Sequence, residues 1–422
     1  MNHFELTGGE LACEGVPLTR IADEVGTPVY VYSTATLERH YQVLREALVG
    51  AGLGDPLIAY AVKANSNVAV LSTLGRLGAG ADTVSEGEIR RALAARIPAE
   101  RILFSGVGKR EAEIAFALDA GVLEINIESE PELELVEKVA RAKGVRASVA
   151  LRVNPDVKAG AHDKISTGKA DSKFGIALPD VERLYAKASN SPGLRPVGLA
   201  CHIGSQISDL ASMDEAARKM RGLVERIRAE GLSLERLDLG GGLGVPYFNQ
   251  PEPPPPSEYA AMIAGVVKGL DVQLAFEPGR MIAANAGVLL ARVLYVIERP
   301  DGRRFLVLDA AMNDLLRPAM YDAYHDIRPV KPREGEAVAY DVVGPVCETG
   351  DTFARDRKLP PLQPGDLVAF MTAGAYGATM SSEYNSRPLA PEVLVKGDRH
   401  AVVRARPSYE DMLSRETAPD WL

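Results

Sequence analysis

The hexapeptide Tyr60-Ala-Val-Lys-Ala-Asn65 sets one lysine, Lys63, at the end of the apolar run 56–62. An amine delivered from such a run is costly to keep as a cation. Its pKa is therefore expected to fall, leaving a nucleophile able to form a Schiff base with a carbonyl. The same pattern alone also describes a strand whose last side chain snorkels to water. Three further segments end apolar runs in the same way: Cys201-His-Ile-Gly-Ser-Gln206, Asp238-Leu-Gly-Gly-Gly-Leu-Gly244 and Glu277-Pro-Gly-Arg280.

Each of these supplies a group that one cofactor would need. Gly240, Gly241 and Gly242 let backbone N–H groups approach a phosphate without a Cβ in the way, and Arg280 adds a cationic donor. A carboxylate at Glu277, set opposite a pyridine nitrogen, would keep that nitrogen protonated and complete an electron sink for an α-carbanion. The imidazole of His202 would pack on the face of the ring. Arg152, in Ala150-Leu-Arg-Val-Asn154, and Asp82 end two more apolar runs. Taken together, the segments predict a pyridoxal 5'-phosphate site.

Composition narrows the class. The chain has 422 residues, a net charge of −9 and basic residues interspersed with acids, so no basic stripe points to nucleic acid and anionic substrates must be met by local arginines. Its length suggests two domains. Cys13, Cys201 and Cys347 form no CxxC pair and no metal-ligand spacing, so neither a disulfide framework nor a metal is implied. The N-terminal residues lack the basic and apolar regions of a signal peptide, and no apolar run approaches the length of a membrane span. A cytoplasmic protein with no membrane partner is expected.

The elements that must position these residues follow from the periodicity. Short apolar runs at 57–63, 80–84, 101–105, 123–127, 148–153, 197–203, 237–239 and 272–277 alternate with amphipathic stretches such as 85–95, 129–143 and 213–230. The first two of those stretches open on serine followed by acids, a helix start. Eight such units fit a (β/α)8 TIM-type barrel over residues 36–280, near the usual size of about 250 residues, although spacing alone leaves an open doubly wound sheet as the alternative. On a barrel, Lys63, His202, the triple glycine and Glu277 would all meet at the C-terminal mouth. From 286 onward, β-branched runs at 288–297, 305–308, 337–343, 367–371, 393–396 and 401–404 have no long helices between them. They predict a mostly antiparallel β sandwich or barrel, formed by 1–35 and 281–422, with Val29-Tyr-Val-Tyr32 adding a strand. The proline-rich segment 251–256 reads as a rigid solvent loop.

At this level of detail the chain resembles the barrel-type pyridoxal-phosphate decarboxylases that act on ornithine, arginine and diaminopimelate, and among them the diaminopimelate branch. The branch-specific motifs are Lys164-Ile-Ser-Thr-Gly168 with Ser172-Lys-Phe-Gly175, Met312-Asn-Asp-Leu-Leu-Arg-Pro-Ala-Met-Tyr321, Val343-Gly-Pro-Val-Cys-Glu348, Gly374-Ala-Tyr-Gly377 and Tyr384-Asn-Ser-Arg-Pro388. Small departures occur at Ala311, where relatives often have glycine, and at Glu86, in a segment that often reads Ser-Gly-Gly-Glu.

The resemblance implies roles residue by residue. Lys63 carries the cofactor covalently, His202 stacks on its ring, and Ser205 lies near the phosphate. Gly240, Gly241, Gly242 and the segment Glu277, Pro278, Gly279 and Arg280 grip phosphate and ring nitrogen, with Asp82, Arg152 and Tyr376 also at the cofactor. Arg280, Arg317, Tyr321, Glu348 and Tyr376 are implied to contact substrate, and Cys347 to donate a proton from the neighbouring subunit of a homodimer with shared sites. The implied activity is decarboxylation of meso-2,6-diaminopimelate at its D-centre to L-lysine, the last step of lysine biosynthesis.

That agrees with the residue chemistry: the planar guanidinium groups of Arg280 and Arg317 suit the distal carboxylate, and Glu348 the distal ammonium. The loop bearing His162 and Lys164 has glycines at 160 and 168 that would permit closure. Rival readings are a decarboxylase of another basic or D-amino acid, a racemase and a silent pyridoxal-binding protein. A racemase on this scaffold would place arginine where Glu277 stands.

Overall fold

The computed structural model describes residues 2–158, 168, 172–247 and 252–422. They divide into two compact units, one of Glu38–Pro246 with Pro251–Ile282, the other of Met1–Leu37, Tyr247–Gln250 and Ala283–Leu422.

In the first unit eight parallel strands close on themselves: Leu57–Ala61, Gly80–Thr83, Ile102–Phe104, Glu124–Ile127, Ala147–Asn154, Leu194–Cys201, Arg236–Asp238 and Gln273–Phe276, the last pairing back to the first. Closure, which spacing could not decide, is settled in favour of the barrel. Strands covered on both faces need apolar residues at nearly every position, and Leu57–Ala61 is buried throughout. Leu57, Ala59, Leu103 and Ala275, from the first, third and eighth strands, form one packed cluster of buried side chains. At the opposite, N-terminal end, Arg236 and Glu124 form a buried ion pair.

The helices between strands start where the sequence has serine. Ser85 Oγ accepts the N–H of Glu88 at 3.2 Å, capping Glu86–Ala94, and Ser129 does the same for Glu132 at the head of Glu130–Ala142. The proline-rich segment, described from 252, leads into the helix Pro256–Val267. Prolines suit a helix start because the first N–H groups have no intrahelical acceptor.

The second unit is a mixed, mainly antiparallel sheet. Val29–Ser33 lies between Gly287–Glu298, antiparallel, and Glu392–Lys396, parallel. Strands Arg304–Leu308, Val338–Val343 and Thr352–Leu359 extend one side and Arg399–Arg404 the other, while Leu367–Phe370 pairs with the Gly287–Glu298 strand and carries Ile327–Pro329 on its own far side. Alternate residues Val29 and Val31, with Val288, Leu290, Val393 and Val395, build the core, while Tyr30 and Tyr32 project from the other face. Their hydroxyls donate to the Asp314 carbonyl and the Glu392 carboxylate, at 2.5 Å each. The first 35 residues do more than contribute a strand: Phe4–Thr7, Glu10–Cys13 and Val16–Pro17 form a small antiparallel sheet of their own.

Candidate active site

At the C-terminal mouth of the barrel a pocket of about 450 Å³ is lined by Lys63, Ser105, Asn126, Arg152, His202 and Glu277, among others. The lysine is not on its strand but in the single 3₁₀ turn Val62–Ala64 that follows it. Its side chain is 33% exposed and its Nζ lies 2.7 Å from Asp82 Oδ2. That corrects the burial premise: the amine meets solvent and a carboxylate counter-ion rather than an apolar enclosure. Asp82 itself is fully buried, and its other oxygen has no hydrogen-bond partner among the described residues.

Arg152 is held by a carboxylate the sequence reading passed over. Its Nη1 donates to Glu128 Oε1 at 2.6 Å, and its guanidinium lies 5.0 Å from the Phe174 ring. Glu128 also accepts the backbone N–H groups of Gly175 at 2.9 Å and Gly106 at 3.3 Å. Nearby, the buried Lys109 amine joins two strand ends, donating to the carbonyls of Gly106 and Asn126 and to Glu132 Oε1 at 2.7 Å. Burial pulls its pKa down, against the opposing pull of Glu132. The available signal for Glu128 was its place one residue beyond the strand Glu124–Ile127.

On the far wall, His202 Nδ1 accepts the N–H of Gly241 at 3.2 Å, which fixes the neutral tautomer with its proton on Nε2. Loss of solvent pushes its pKa well below the ordinary value, with the Lys63 and Arg152 cations adding to the effect. Gly240 and Gly242 have φ of 66° and 112°. A Cβ at Gly241 would stand 2.1 Å from the Glu277 carbonyl oxygen, so this turn requires glycine for packing as well as for any anion it receives. Beside it, Arg280 Nε donates to Ser205 Oγ at 3.1 Å, bringing these two predicted residues together.

Glu277 and Asp238 make a buried acidic pair. Burial raises Glu277 well above the carboxylate range, with Asp238 and then Asp82 adding to it. Asp238, fully buried, is pushed up to about 7, while its Oδ1 accepts Gly240 N–H at 2.7 Å. Such a pair holds one proton in common and favours an N–H donor or cation set against it. A protonated pyridine nitrogen is that kind of group. With the glycine turn, the Arg280–Ser205 pair and an amine at Lys63, the residues present fit pyridoxal phosphate.

The second unit carries the remaining predicted residues. Arg317 and Tyr321 bound the short helix Arg317–Tyr321, and Arg317 is buried. Cys347, exposed, and Glu348 lie in the connection between Val338–Val343 and Thr352–Leu359. Tyr376 has a left-handed backbone, φ 54°, an uncommon state for a tyrosine. His162, Lys164 and most of the 164–168 motif lie outside the described residues.

Residues 34–284 match the family model for the pyridoxal binding domain of the pyridoxal-dependent decarboxylases. Over 420 residues the chain is 50% identical to a diaminopimelate decarboxylase of Zymomonas mobilis, covering 99% of each. The solved diaminopimelate decarboxylase of M. jannaschii in complex with L-lysine superposes with a TM-score of 0.94 at 35% identity over the full length of both chains. The Helicobacter pylori diaminopimelate decarboxylase, also complexed with L-lysine, gives 0.90 at 41%, over 94% of this chain and 98% of that one.

Proposed function

The chain belongs to the diaminopimelate decarboxylases of the pyridoxal-dependent decarboxylase family, and on that premise we propose that it converts meso-2,6-diaminopimelate to L-lysine and carbon dioxide, attacking the D-centre. The observation that carries this reading is the convergence of Lys63, His202, Arg152 and Glu277 on one pocket at the barrel mouth. Bound there, pyridoxal phosphate supplies a protonated ring that draws in the electron pair of the breaking bond to the α-carboxylate.

The chain's own residues do the rest. Lys63, whose Nζ is held 2.7 Å from Asp82 Oδ2, would anchor the cofactor through its amine. Glu277, kept in a low-dielectric setting beside Asp238, retains the proton on the ring nitrogen. His202, neutral and oriented by Gly241, would pack against the cofactor's ring. Gly240, Gly241 and Gly242 with Ser205 and Arg280 hold the phosphate, and Asp82, Arg152, Pro278, Gly279 and Tyr376 complete the cofactor's surroundings. Arg280, Arg317 and Tyr321 receive the distal carboxylate, while Glu348 receives the distal ammonium and Tyr376 contacts the substrate. Cys347 Sγ, or Lys63 Nζ, returns a proton to the α-carbon.

The resemblance further supports a homodimer in which Cys347 serves the neighbouring subunit's site, and a cytoplasmic location. Among the described residues no helix is long and apolar enough to cross a membrane.

The deciding experiment incubates purified, pyridoxal-phosphate-loaded protein separately with meso-diaminopimelate, L-ornithine, L-arginine and D-lysine. Lysine and carbon dioxide from the first alone are expected. A diamine from another, with meso-diaminopimelate inert, would leave the cofactor site standing and overturn the assignment of Arg317 and Glu348.

A further inference from the structure

Arg317 has a partner that no motif announced. Its Nη1 lies 2.9 Å from Nε2 of His325, a residue only 2% exposed, and its guanidinium lies 5.4 Å from the centre of the Tyr247 ring. Tyr247 in turn meets the His325 ring edge-on, at 6.1 Å between centres. The other imidazole nitrogen decides the chemistry. His325 Nδ1 is 2.9 Å from the carbonyl oxygen of Met371, an atom that only accepts, so the proton is on Nδ1 and the Nε2 lone pair faces the guanidinium. The backbone of His325 is fixed as well, since Arg357 Nη1 donates to its carbonyl at 2.8 Å.

This arrangement differs from the one at Arg152, whose partner is a carboxylate. A neutral acceptor orients a guanidinium through its N–H groups and brings no opposing charge of its own. Met371 directly follows the strand Leu367–Phe370 and stands five residues before Tyr376. The imidazole therefore ties the helix bearing Arg317 to the segment bearing Tyr376.

We propose that His325 is a positioning residue of the substrate clamp, its neutral imidazole setting the guanidinium of Arg317 in the orientation that receives the distal carboxylate. This rests on the reading of Arg317 given above. His325 touches neither substrate nor cofactor; it acts through Arg317. Ligands bearing the distal carboxylate should feel its loss, and ligands without it should not.

Two replacements separate the two nitrogens. His325→Asn keeps a donor for Met371 and loses the acceptor for Arg317, whereas His325→Gln can return an amide oxygen to the Nε2 position. With the holoenzyme, KM for meso-diaminopimelate and the inhibition constants of L-lysine, which has the distal carboxylate, and 1,5-diaminopentane, which lacks it, are measured for each. His325→Asn should raise the first two together by roughly tenfold or more, the loss of one hydrogen bond to a charged group. The diamine constant, kcat and the cofactor absorbance should stay within about twofold, and His325→Gln should recover part of the loss. In an Arg317→Ala background His325→Asn should add nothing.

An equal rise for the diamine, or full additivity with Arg317→Ala, overturns the proposal. Where His325→Asn does not fold, the same comparison on His325→Gln decides it. If Arg317→Ala alone leaves KM unchanged, the clamp reading fails and the role of His325 with it. If Arg317→Ala is impaired and His325→Asn is not, only the role of His325 fails.

Discussion

Asp351 accepts the backbone N–H of Met312 at 2.6 Å, joining the segment that leads to Arg317 to the connection that carries Cys347 and Glu348. The second oxygen of the same buried carboxylate accepts Val346 N–H at 2.7 Å. One side chain thus sets two proposed substrate-contacting segments against each other. Asp351→Asn replaces one acceptor with a donor facing a backbone N–H, and should lower kcat/KM for meso-diaminopimelate at least tenfold. Cofactor absorbance should be unchanged, because the Asp351 carboxylate holds Met312 and Val346, neither of which is assigned to the cofactor. Full activity in steady-state assays would show that the two segments hold their places without it.

Lys63→Ala removes the only amine lining the pocket among its described residues. Turnover should fall by roughly a thousandfold or more, as expected when a covalent catalyst is lost. Borohydride treatment followed by peptide mass mapping should place the reduced cofactor on Lys63 in the parent protein and nowhere in the variant. Normal turnover by the variant would overturn the assignment.

Gly241→Ala drives a methyl group into the Glu277 carbonyl. Both atoms are tied to backbone, so relief requires the turn to move, at a cost of about 1–3 kcal/mol. The expected result is pyridoxal-phosphate affinity weakened by at least tenfold in a fluorescence titration, together with a lower melting temperature. Unchanged affinity would mean that the glycine turn does not set the cofactor's place.

The Asp238–Glu277 pair carries a pH signature in the cofactor-free protein. In the folded chain Asp238 keeps its proton up to about 7, while an unfolded chain releases it near the ordinary aspartate value of about 4. Between those limits the folded state binds more protons, so stability falls as pH rises through that window. Asp238→Asn should flatten this slope. Thermal midpoints at pH 5 and pH 8 should differ less in the variant than in the parent, and equal differences would contradict the buried-acid reading.

Much of this was legible because the barrel writes itself plainly. Gly80–Thr83 contains Asp82 and Gln273–Phe276 leads directly to Glu277, both candidate site acids, and the strands found lie within a few residues of the runs predicted. The closure of the sheet was not legible, since it depends on pairing between the first and last strands. Thr352–Leu359 escaped because Thr-Phe-Ala-Arg-Asp-Arg-Lys-Leu buries only Phe353 and Leu359 and shows no apolar run. Ile327–Pro329 is too short for any period to emerge. Lys63, Glu277 and the glycines stand inside distinctive segments, whereas Glu128 and His325 are lone residues whose importance comes from what folds against them.

The place of Val29–Ser33 in the sheet has a consequence for synthesis. Its partners are Gly287–Glu298 and Glu392–Lys396, the second more than 350 residues further along the chain. At ribosomal rates of about 5–20 residues per second the first-made strand waits roughly 20 to 70 s for that partner, long enough for the barrel between them to be complete. Through that interval Val-Tyr-Val-Tyr is an unpaired apolar edge on the nascent chain, a ready target for chaperones or for a neighbouring polysome's copy of the same strand.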